Sequence, residues 1–112
     1  MNMYYGLHGH FTAQPGHGDA LADILLAAAE GLRANDACLL YLVSRSPDDP
    51  DIVWVTEAWT SKAAHDESLQ DEGVKAAIQR ARPLIAGIAG TELRPVGGKG
   101  IARRGFRQGM RR

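Results

Sequence analysis

The fold is decided by two apolar stretches, Cys38-Leu39-Leu40-Tyr41-Leu42-Val43 and Ile52-Val53-Trp54-Val55-Thr56, which flank the turn sequence Ser46-Pro47-Asp48-Asp49-Pro50. Branched and aromatic side chains favour strands, and proline with aspartate favours a turn, so this region predicts a hairpin whose second strand runs to Trp59. A strand with one wet face alternates apolar and polar residues, and these stretches do not. Both faces of the hairpin are therefore expected to be covered.

Upstream of the hairpin the sequence predicts one strand and one helix. Residues 4–13 alternate with a period of two, which is typical of a strand, and Gln14-Pro15-Gly16 ends it. Apolar residues then recur at helical spacing and predict a helix over residues 18–34. The residues of that stripe are Leu21, Ile24, Leu25, Ala28 and Leu32.

Downstream of the hairpin the sequence predicts two helices and a final strand. Ser61 is placed to cap a short helix over residues 62–69. A second apolar stripe over residues 74–85 predicts a longer helix that Gly87 closes. Residues 88–96 then predict the fourth strand.

The order strand, helix, strand, strand, helix, strand predicts an α+β fold of the ferredoxin-like βαββαβ type. Its sheet would have four antiparallel strands with the helices on one face. The 112 residues suffice for one domain, which we assign to residues 1–97, followed by a basic Gly/Arg-rich tail over residues 98–112.

Two helices cover only one face of a four-stranded sheet, so the apolar second face needs another cover. The tail offers little apolar area for that purpose. The same face of a second copy is the simpler cover, and the sequence therefore predicts a homodimer.

Charge and cysteine content narrow the function classes. The tail carries six basic side chains from Lys99 onward and no acidic one, which leaves seven basic and 13 acidic side chains in the rest. An acidic body disfavours a dedicated nucleic-acid binder, although the tail alone could contact an acidic partner. Neither a signal peptide nor a membrane span is predicted, and the single Cys38 suits a cytoplasmic protein.

Several of these segments resemble the antibiotic biosynthesis monooxygenase (ABM) domain family. The most specific of them is Glu57-Ala58-Trp59-Thr60-Ser61, a strand end that leads into a helix. The resemblance covers residues 4–96. It is also carried by Gln14-Pro15-Gly16, Ala37-Cys38-Leu39-Leu40-Tyr41, Pro47-Asp48-Asp49-Pro50 and the segment from Ala64-His65-Asp66 to Arg82-Pro83-Leu84.

The resemblance implies a dimeric α+β barrel. It also implies oxygen chemistry without a cofactor, because members include cofactor-free oxygenases of anthrone-like and quinol substrates. Some quinol-oxygenase-like members have a histidine where Gly73 stands. Haem-degrading relatives have an asparagine at the position of His8 and a tryptophan–histidine pair without a match here, so haem degradation is not expected.

The candidate catalytic residues are His8, His10 and Trp59. The two histidines are two residues apart on a strand, so they share one face and are candidates for proton transfer in a pocket. A metal site would need a third ligand such as His65 or Glu57, and the spacing demands none, so no metal is expected. The alternative is that both histidines are structural.

The candidate substrate-binding residues are Tyr41, His65 and Arg82, and Trp59 would form a wall beside them. Trp59 could stack on an aromatic ring or belong to the core, and Tyr41 could donate a hydrogen bond or lie at a sheet edge. His65 could line the pocket or lie on the surface. Arg82 could stabilise a phenolate, with a solvated helix face as the alternative.

Two functions stay open at this level. The first is a cofactor-independent oxygenase of a small aromatic hydroquinone, phenol or anthrone, with molecular oxygen as co-substrate. The second is a dimeric barrel that binds a small molecule without turnover. The histidine pair and Trp59 favour the first, and Gly73 favours the second.

Overall fold

The computed structural model describes residues 4–100 and forms one four-stranded sheet with helices on one side. The elements are β1 (Tyr5–Ala13), α1 (Gly18–Gly31), β2 (Cys38–Arg45), β3 (Ile52–Trp59), α2 (Lys62–Ser68), α3 (Glu72–Ala81), a 3-10 turn (Arg82–Leu84) and β4 (Ile85–Leu93). The strand order is β2-β3-β1-β4, and every neighbouring pair is antiparallel. The predicted ferredoxin-like α+β fold is confirmed.

The core lies between the sheet and α1. Leu21 of α1 and Val53 of β3 are fully buried, and Leu25 and Val55 are buried beside them. Val53 pairs with Phe11 across β1 and β3, and Phe11 packs against the same cluster. This apolar packing fixes which face of each strand points toward the helices.

Side-chain oxygens accept hydrogen bonds from backbone N–H groups at the start of all three helices. Ser61 accepts a hydrogen bond of 3.0 Å from the backbone N–H of Ala64 at the start of α2, as the sequence predicts. Asp71 does the same for Val74 in α3, at 3.1 Å. The carboxylate of Asp51 accepts the N–H of Gly18, which anchors the start of α1 to the β2–β3 hairpin.

Two predicted boundaries are wrong. The first helix ends at Gly31 rather than near residue 34, because a turn at Leu32 carries the chain toward β2. The last helix ends at Ala81, and Ile85 and Gly87 belong to β4 rather than to the helix end. Pro83 offers no N–H to continue the helix, and Ile85 instead reaches the core as the partner of Ala13 on β1.

The outer face of the sheet points away from all helices and is apolar at its centre. Leu42 is 50% exposed there, and Trp54 and Ile52 of β3 lie on the same face. Register and alternation place no Asp, Glu, Lys or Arg of the four described strands on this face. The predicted apolar second face is therefore present.

The last two predictions concern a membrane span and the basic tail. Among residues 4–100, none of the helices combines the length and the apolar character that crossing a membrane requires. The basic tail predicted for residues 98–112 lies mostly outside the described residues, which end at Gly100.

Candidate active site

A cavity of about 480 Å³ lies between the sheet and the helices. It exists because α3 packs against α1 rather than closely against any strand, which leaves space above β1, β3 and β4. Small-molecule sites usually enclose about 300–1,000 Å³. The volume therefore suits a ligand of one to three aromatic rings.

The cavity wall is mostly apolar and carries a few polar groups. Its apolar residues come from β1, β4 and the facing sides of α1 and α3, and they include Phe11, Leu25, Val74, Ile78 and Ile88. Its polar and aromatic residues are Tyr41, Glu57, Trp59, His65, Ser68 and Arg82. An apolar enclosure with few polar groups is the usual composition of a binding site.

Glu57 is the carboxylate of this cavity. It follows Val53 and Val55 on the helix-facing side of β3, where its side chain is only 16% exposed. Burial raises the pKa of the Glu57 carboxyl, although the indole N–H of Trp59 and the nearby His65 offset part of this effect. The site thus holds an acid that keeps its proton to a higher pH than a surface glutamate does.

Trp59 forms one wall of the cavity and belongs to the core at the same time. Its side chain is 1% exposed, and its Nε1 donates a hydrogen bond of 3.0 Å to Oε1 of Glu57. Both interpretations of Trp59 from the sequence are thus compatible. The indole is held by packing and by this hydrogen bond, so it is a rigid wall.

His65 lies on α2 with its imidazole turned toward β3. Its Nε2 is 4.0 Å from Oε1 of Glu57, and its side chain is 14% exposed. The imidazole also contacts the rings of Tyr5 and Trp59, with centroid distances of 5.2 and 5.5 Å. The structure therefore places His65 in the cavity rather than on the surface.

Asp66 fixes the orientation of this imidazole. Its Oδ1 is 2.9 Å from Nδ1 of His65, and its Oδ2 accepts a hydrogen bond from Lys62. The hydrogen bonds from His65 and Lys62 hold the pKa of Asp66 below its usual value. Because an ionised carboxylate only accepts, Nδ1 carries the hydrogen, and Nε2 is left as the acceptor that faces the cavity.

Tyr41 and Arg82 complete the polar wall. Tyr41 is the direct cross-strand partner of Glu57 between β2 and β3. Burial, and then the charge of Glu57, raises the pKa of Tyr41 well above its usual range, so its hydroxyl stays a hydrogen-bond donor. Arg82 begins the 3-10 turn, is exposed, and borders the cavity at the end of α3.

The imidazoles of His8 and His10 lie on the opposite face of the sheet from Trp59, although both residues border, with Tyr41, a shallower depression along β1 and β4. Their rings pack on Trp54 of the outer face, at centroid distances of 5.2 and 4.5 Å, and Nδ1 of His8 is 3.0 Å from Oγ1 of Thr56. The two histidines do share one face, as the sequence predicts. That face is opposite to the one that carries Trp59, so the grouping of His8 and His10 with Trp59 in one pocket is wrong.

The reason for this correction is the strand register. His8 pairs with Thr56 and His10 with Trp54, whereas the helix-facing row of β3 consists of Val53, Val55, Glu57 and Trp59. Even-numbered residues of β1 therefore point outward. The 480 Å³ cavity lies on the helix side within one chain. The expectation that a partner copy creates a pocket over the outer face stays a prediction.

A shallower depression of about 210 Å³ continues from the cavity along β1 and β4. Gly9 and Gly90 face each other there, so neither strand has a side chain at this point. A Cβ on Gly9 would collide with the carbonyl of Ala89, whereas a Cβ on Gly90 would meet only Gly9 and His8 atoms at 3.5 Å. This glycine pair extends the hollow toward the β4 edge.

Sequence reasoning considered Glu57 only as a possible metal ligand and gave Asp66 no part in the site. The signal for Glu57 was available, because it is the one charged residue in the apolar row Val53, Val55, Glu57, Trp59. Asp66 gave no comparable signal, since an aspartate on a short polar helix is ordinary. Within residues 4–100, no three His, Cys, Asp or Glu side chains come together as a metal-binding group.

The fold and the cavity define a class of protein, a small ferredoxin-like α+β domain with a ligand-sized hollow between its sheet and helices. The profile of the family described as antibiotic biosynthesis monooxygenase matches residues 4–80. The chain belongs to this family.

Solved structures agree with that assignment. A protein from Chloroflexus aurantiacus, provisionally assigned as an antibiotic biosynthesis monooxygenase, is 45% identical over 88% of this chain and 98% of its own, with a TM-score of 0.80. A protein from Deinococcus radiodurans with the same provisional assignment is 29% identical over 84% of this chain and 94% of its own, with a TM-score of 0.73.

A more distant structure shares the fold. Rv0793 from Mycobacterium tuberculosis is 24% identical over 86% of this chain and 98% of its own, with a TM-score of 0.75. A search of curated proteins found no match.

Proposed function

We propose that this protein is a cofactor-independent monooxygenase of a small aromatic hydroquinone, phenol or anthrone-type substrate. The observation that carries the proposal is the cavity itself, in which a rigid indole wall, a protonated tyrosine and an oriented imidazole border one apolar space. Family membership supports oxygen chemistry, and the provisional assignments of the relatives from Chloroflexus aurantiacus and Deinococcus radiodurans point the same way.

The reaction balances without an added electron donor. For an anthrone, the CH₂ group gives up four electrons to one O₂, one oxygen atom becomes the new carbonyl, and the other leaves as water with the two hydrogens. An electron-rich substrate can start this reaction by itself once a proton has been removed from it. The protein then needs a dry site, a base and a donor for the substrate oxyanion.

The cavity residues suit these tasks. Trp59 would stack on the aromatic ring, and the Tyr41 hydroxyl would donate to the oxyanion. Arg82 at the border of the cavity would add positive charge near the same oxygen. His8 and His10, which point to the outer face, have no part in this arrangement.

We also propose that the active form is a homodimer joined through the outer sheet faces. Support comes from the apolar residues Leu42, Ile52 and Trp54 and from the lack of charged side chains on the described strands of that face. We place the protein in the cytoplasm, where the free thiol of Cys38 would stay reduced.

The alternative function is small-molecule binding without turnover. Gly73 favours this alternative, because some quinol-oxygenase-like members have a histidine at its position. The same cavity would then hold an aromatic ligand that does not react with oxygen.

An oxygen electrode separates the two functions. Menadiol and dithranol are added to protein prepared without flavin, haem or metal, with heat-denatured protein as the blank for spontaneous oxidation. The proposal requires catalysed uptake of one O₂ per substrate and a clear loss of rate in Tyr41→Phe. It also requires an unchanged rate in Arg33→Gln, a change at an exposed residue in the turn after α1. Uptake equal to the blank, together with tight ligand binding, would establish the alternative.

A further inference from the structure

We infer that His65 is the base that removes the proton of a bound aromatic hydroxyl, and that Asp66 is the residue that positions it. This inference rests on the proposed function for its substrate. It assigns the proton transfer to a pair of adjacent residues on α2 rather than to the histidines of β1.

The hydrogen bonds of Asp66 determine which ring nitrogen of His65 carries the hydrogen and which one accepts a proton. Asp66 Oδ1 lies 2.9 Å from Nδ1, and Lys62 Nζ lies 3.0 Å from the other oxygen of the same carboxylate. The carboxylate is thus held at both oxygens, and it fixes the tautomer with the hydrogen on Nδ1. The lone pair of Nε2 is left on the cavity side.

The surroundings of Nε2 suit a proton acceptor. Oε1 of Glu57 is 4.0 Å away, which exceeds hydrogen-bond distance and leaves Nε2 without a hydrogen-bond partner among residues 4–100. The aromatic rings of Tyr5 and Trp59 hold the imidazole in place from two sides. A substrate hydroxyl beside Trp59 would therefore find Nε2 both accessible and rigidly placed.

Charged and titratable groups face His65 from the neighbouring elements. Glu57 faces it from β3 and Asp66 from its own helix, while Lys62 is paired with Asp66. From β1, Tyr5 contributes a hydroxyl that donates to Glu92 of β4 at 2.7 Å. The carboxyl groups of Glu57 and Asp66 thus face the two ring nitrogens of His65, Nε2 and Nδ1 respectively.

The step itself is a simple proton transfer. The O–H bond of the substrate breaks, the proton moves to the Nε2 lone pair, and the electron pair stays on the oxygen as a phenolate. No oxidant is needed for this step, so it can be observed without turnover. Tyr41 cannot act as the base, because its hydroxyl keeps its own proton. Glu57 is the one competing acceptor among the groups described for this wall.

The first test uses 4-nitrophenol, whose phenolate is yellow and whose neutral form is not. At a pH slightly below the free phenol's own pKa, binding to wild-type protein should raise the phenolate absorption. In His65→Asn and His65→Gln the bound probe should stay neutral, while His17→Asn, on an exposed loop histidine, should behave like wild type. Asp66→Asn should move the pH midpoint of probe ionisation rather than abolish the signal.

Three outcomes would overturn the assignment. One is a wild type that gives no phenolate signal at saturating probe. Another is a folded His65→Asn that ionises the probe as well as wild type does. The last is a Glu57→Gln that loses the signal while His65→Asn keeps it, which would make Glu57 the base. Thermal unfolding of each variant confirms that it is folded.

The second test applies if the oxygen electrode shows turnover. Loss of a general base costs about 10²–10⁴-fold, so His65→Asn should lower kcat by that order with little change in KM. A kcat within twofold of wild type would overturn the inference. Failure of the proposed function looks different, since wild type would then ionise 4-nitrophenol but consume no oxygen above the blank.

Discussion

The indole Nε1 of Trp59 donates a hydrogen bond of 3.0 Å to Oε1 of Glu57, two residues earlier on the same face of β3. This bond connects the rigid wall of the cavity to its carboxyl group. It also explains why a carboxyl group is tolerated in a row whose other members are the buried residues Val53, Val55 and Trp59, because a buried polar group needs a partner. The consequences extend to stability, ligand binding and the choice of base.

Because the pKa of Glu57 is raised, its contribution to the free energy of unfolding should fall as the pH rises. The folded state holds this proton more tightly than the unfolded chain does, so the stabilising contribution is complete below the ordinary glutamate pKa. It is lost as the pH rises through the folded-state value. Glu57→Gln, which cannot ionise, should therefore gain stability relative to wild type as the pH rises from the ordinary glutamate pKa to neutrality and above.

Urea unfolding of both proteins across this range measures the difference. Asp23→Asn, on the exposed side of α1, is the matched control and should follow wild type closely. A difference between Glu57→Gln and wild type that stays constant with pH would contradict the account of Glu57 as a buried, proton-retaining acid.

Two tryptophans on opposite faces of β3 allow the bound ligand to be located. Trp54 lies on the outer face with His8 and His10, whereas Trp59 borders the cavity. In Trp54→Phe the remaining emission comes from Trp59, and menadione should quench it strongly on binding. In Trp59→Phe the emission of Trp54 should respond little to the same ligand. The reverse pattern would place the ligand on the outer sheet face.

The outer face gives a prediction about assembly. Leu42 and Leu26 are each 50% exposed, but Leu42 lies on the outer face of β2 and Leu26 on α1. Leu42→Asp would bury two carboxylates in a symmetric apolar interface, so it should weaken self-association by at least ~100-fold. Leu26→Asp should leave association unchanged.

Light scattering at micromolar concentration gives the mass of each protein. Wild type and Leu26→Asp should both have twice the 12.1 kDa of one chain, and Leu42→Asp should have the single-chain mass. A wild type that is monomeric under these conditions would rule out the proposed interface.

Two glycines of α1 should respond oppositely to the same substitution. At Gly18 a Cβ would collide with the backbone carbonyl of Pro50, whereas at Gly31 nothing lies within 4 Å of the added atom. Gly18→Ala should therefore destabilise the fold by about 1–3 kcal/mol, as overpacking generally does. Gly31→Ala should stabilise it by up to about 1 kcal/mol through helix propensity.

Chemical unfolding followed by circular dichroism compares the two variants with wild type. Equal effects of the two substitutions would mean that the start of α1 does not lie against the β2–β3 hairpin as described.

The fold was largely predictable because its periodicities are strong. The unbroken apolar hairpin strands and the stripe beginning at Leu21 allow only one order of elements. The end of the last helix was not predictable, because Ile85 fits a helical stripe and a strand equally well. Ile85 belongs to a strand because it pairs with Ala13 of β1, which lies 72 positions earlier in the sequence. Such a long-range pairing leaves no local signal.

The site was only half predictable for a related reason. Tyr41, Trp59, His65 and Arg82 do line one cavity, and all four lie in segments that carry the family resemblance. The face of His8 could not be read from alternation, since a shift of one residue in the β1–β3 register would exchange the two faces. Register is set by packing across the whole sheet, not by the strand itself.

The glycine pair of β1 and β4 has an evolutionary consequence. Gly9 is locked, because any side chain there would push the neighbouring strand away, but Gly90 could acquire a methyl group at little cost to the backbone. A single codon change at position 90 would thus shrink the hollow while leaving every acid, base and aromatic ring where it is. Relatives could diverge in ligand size through this one position, long before their chemistry changed.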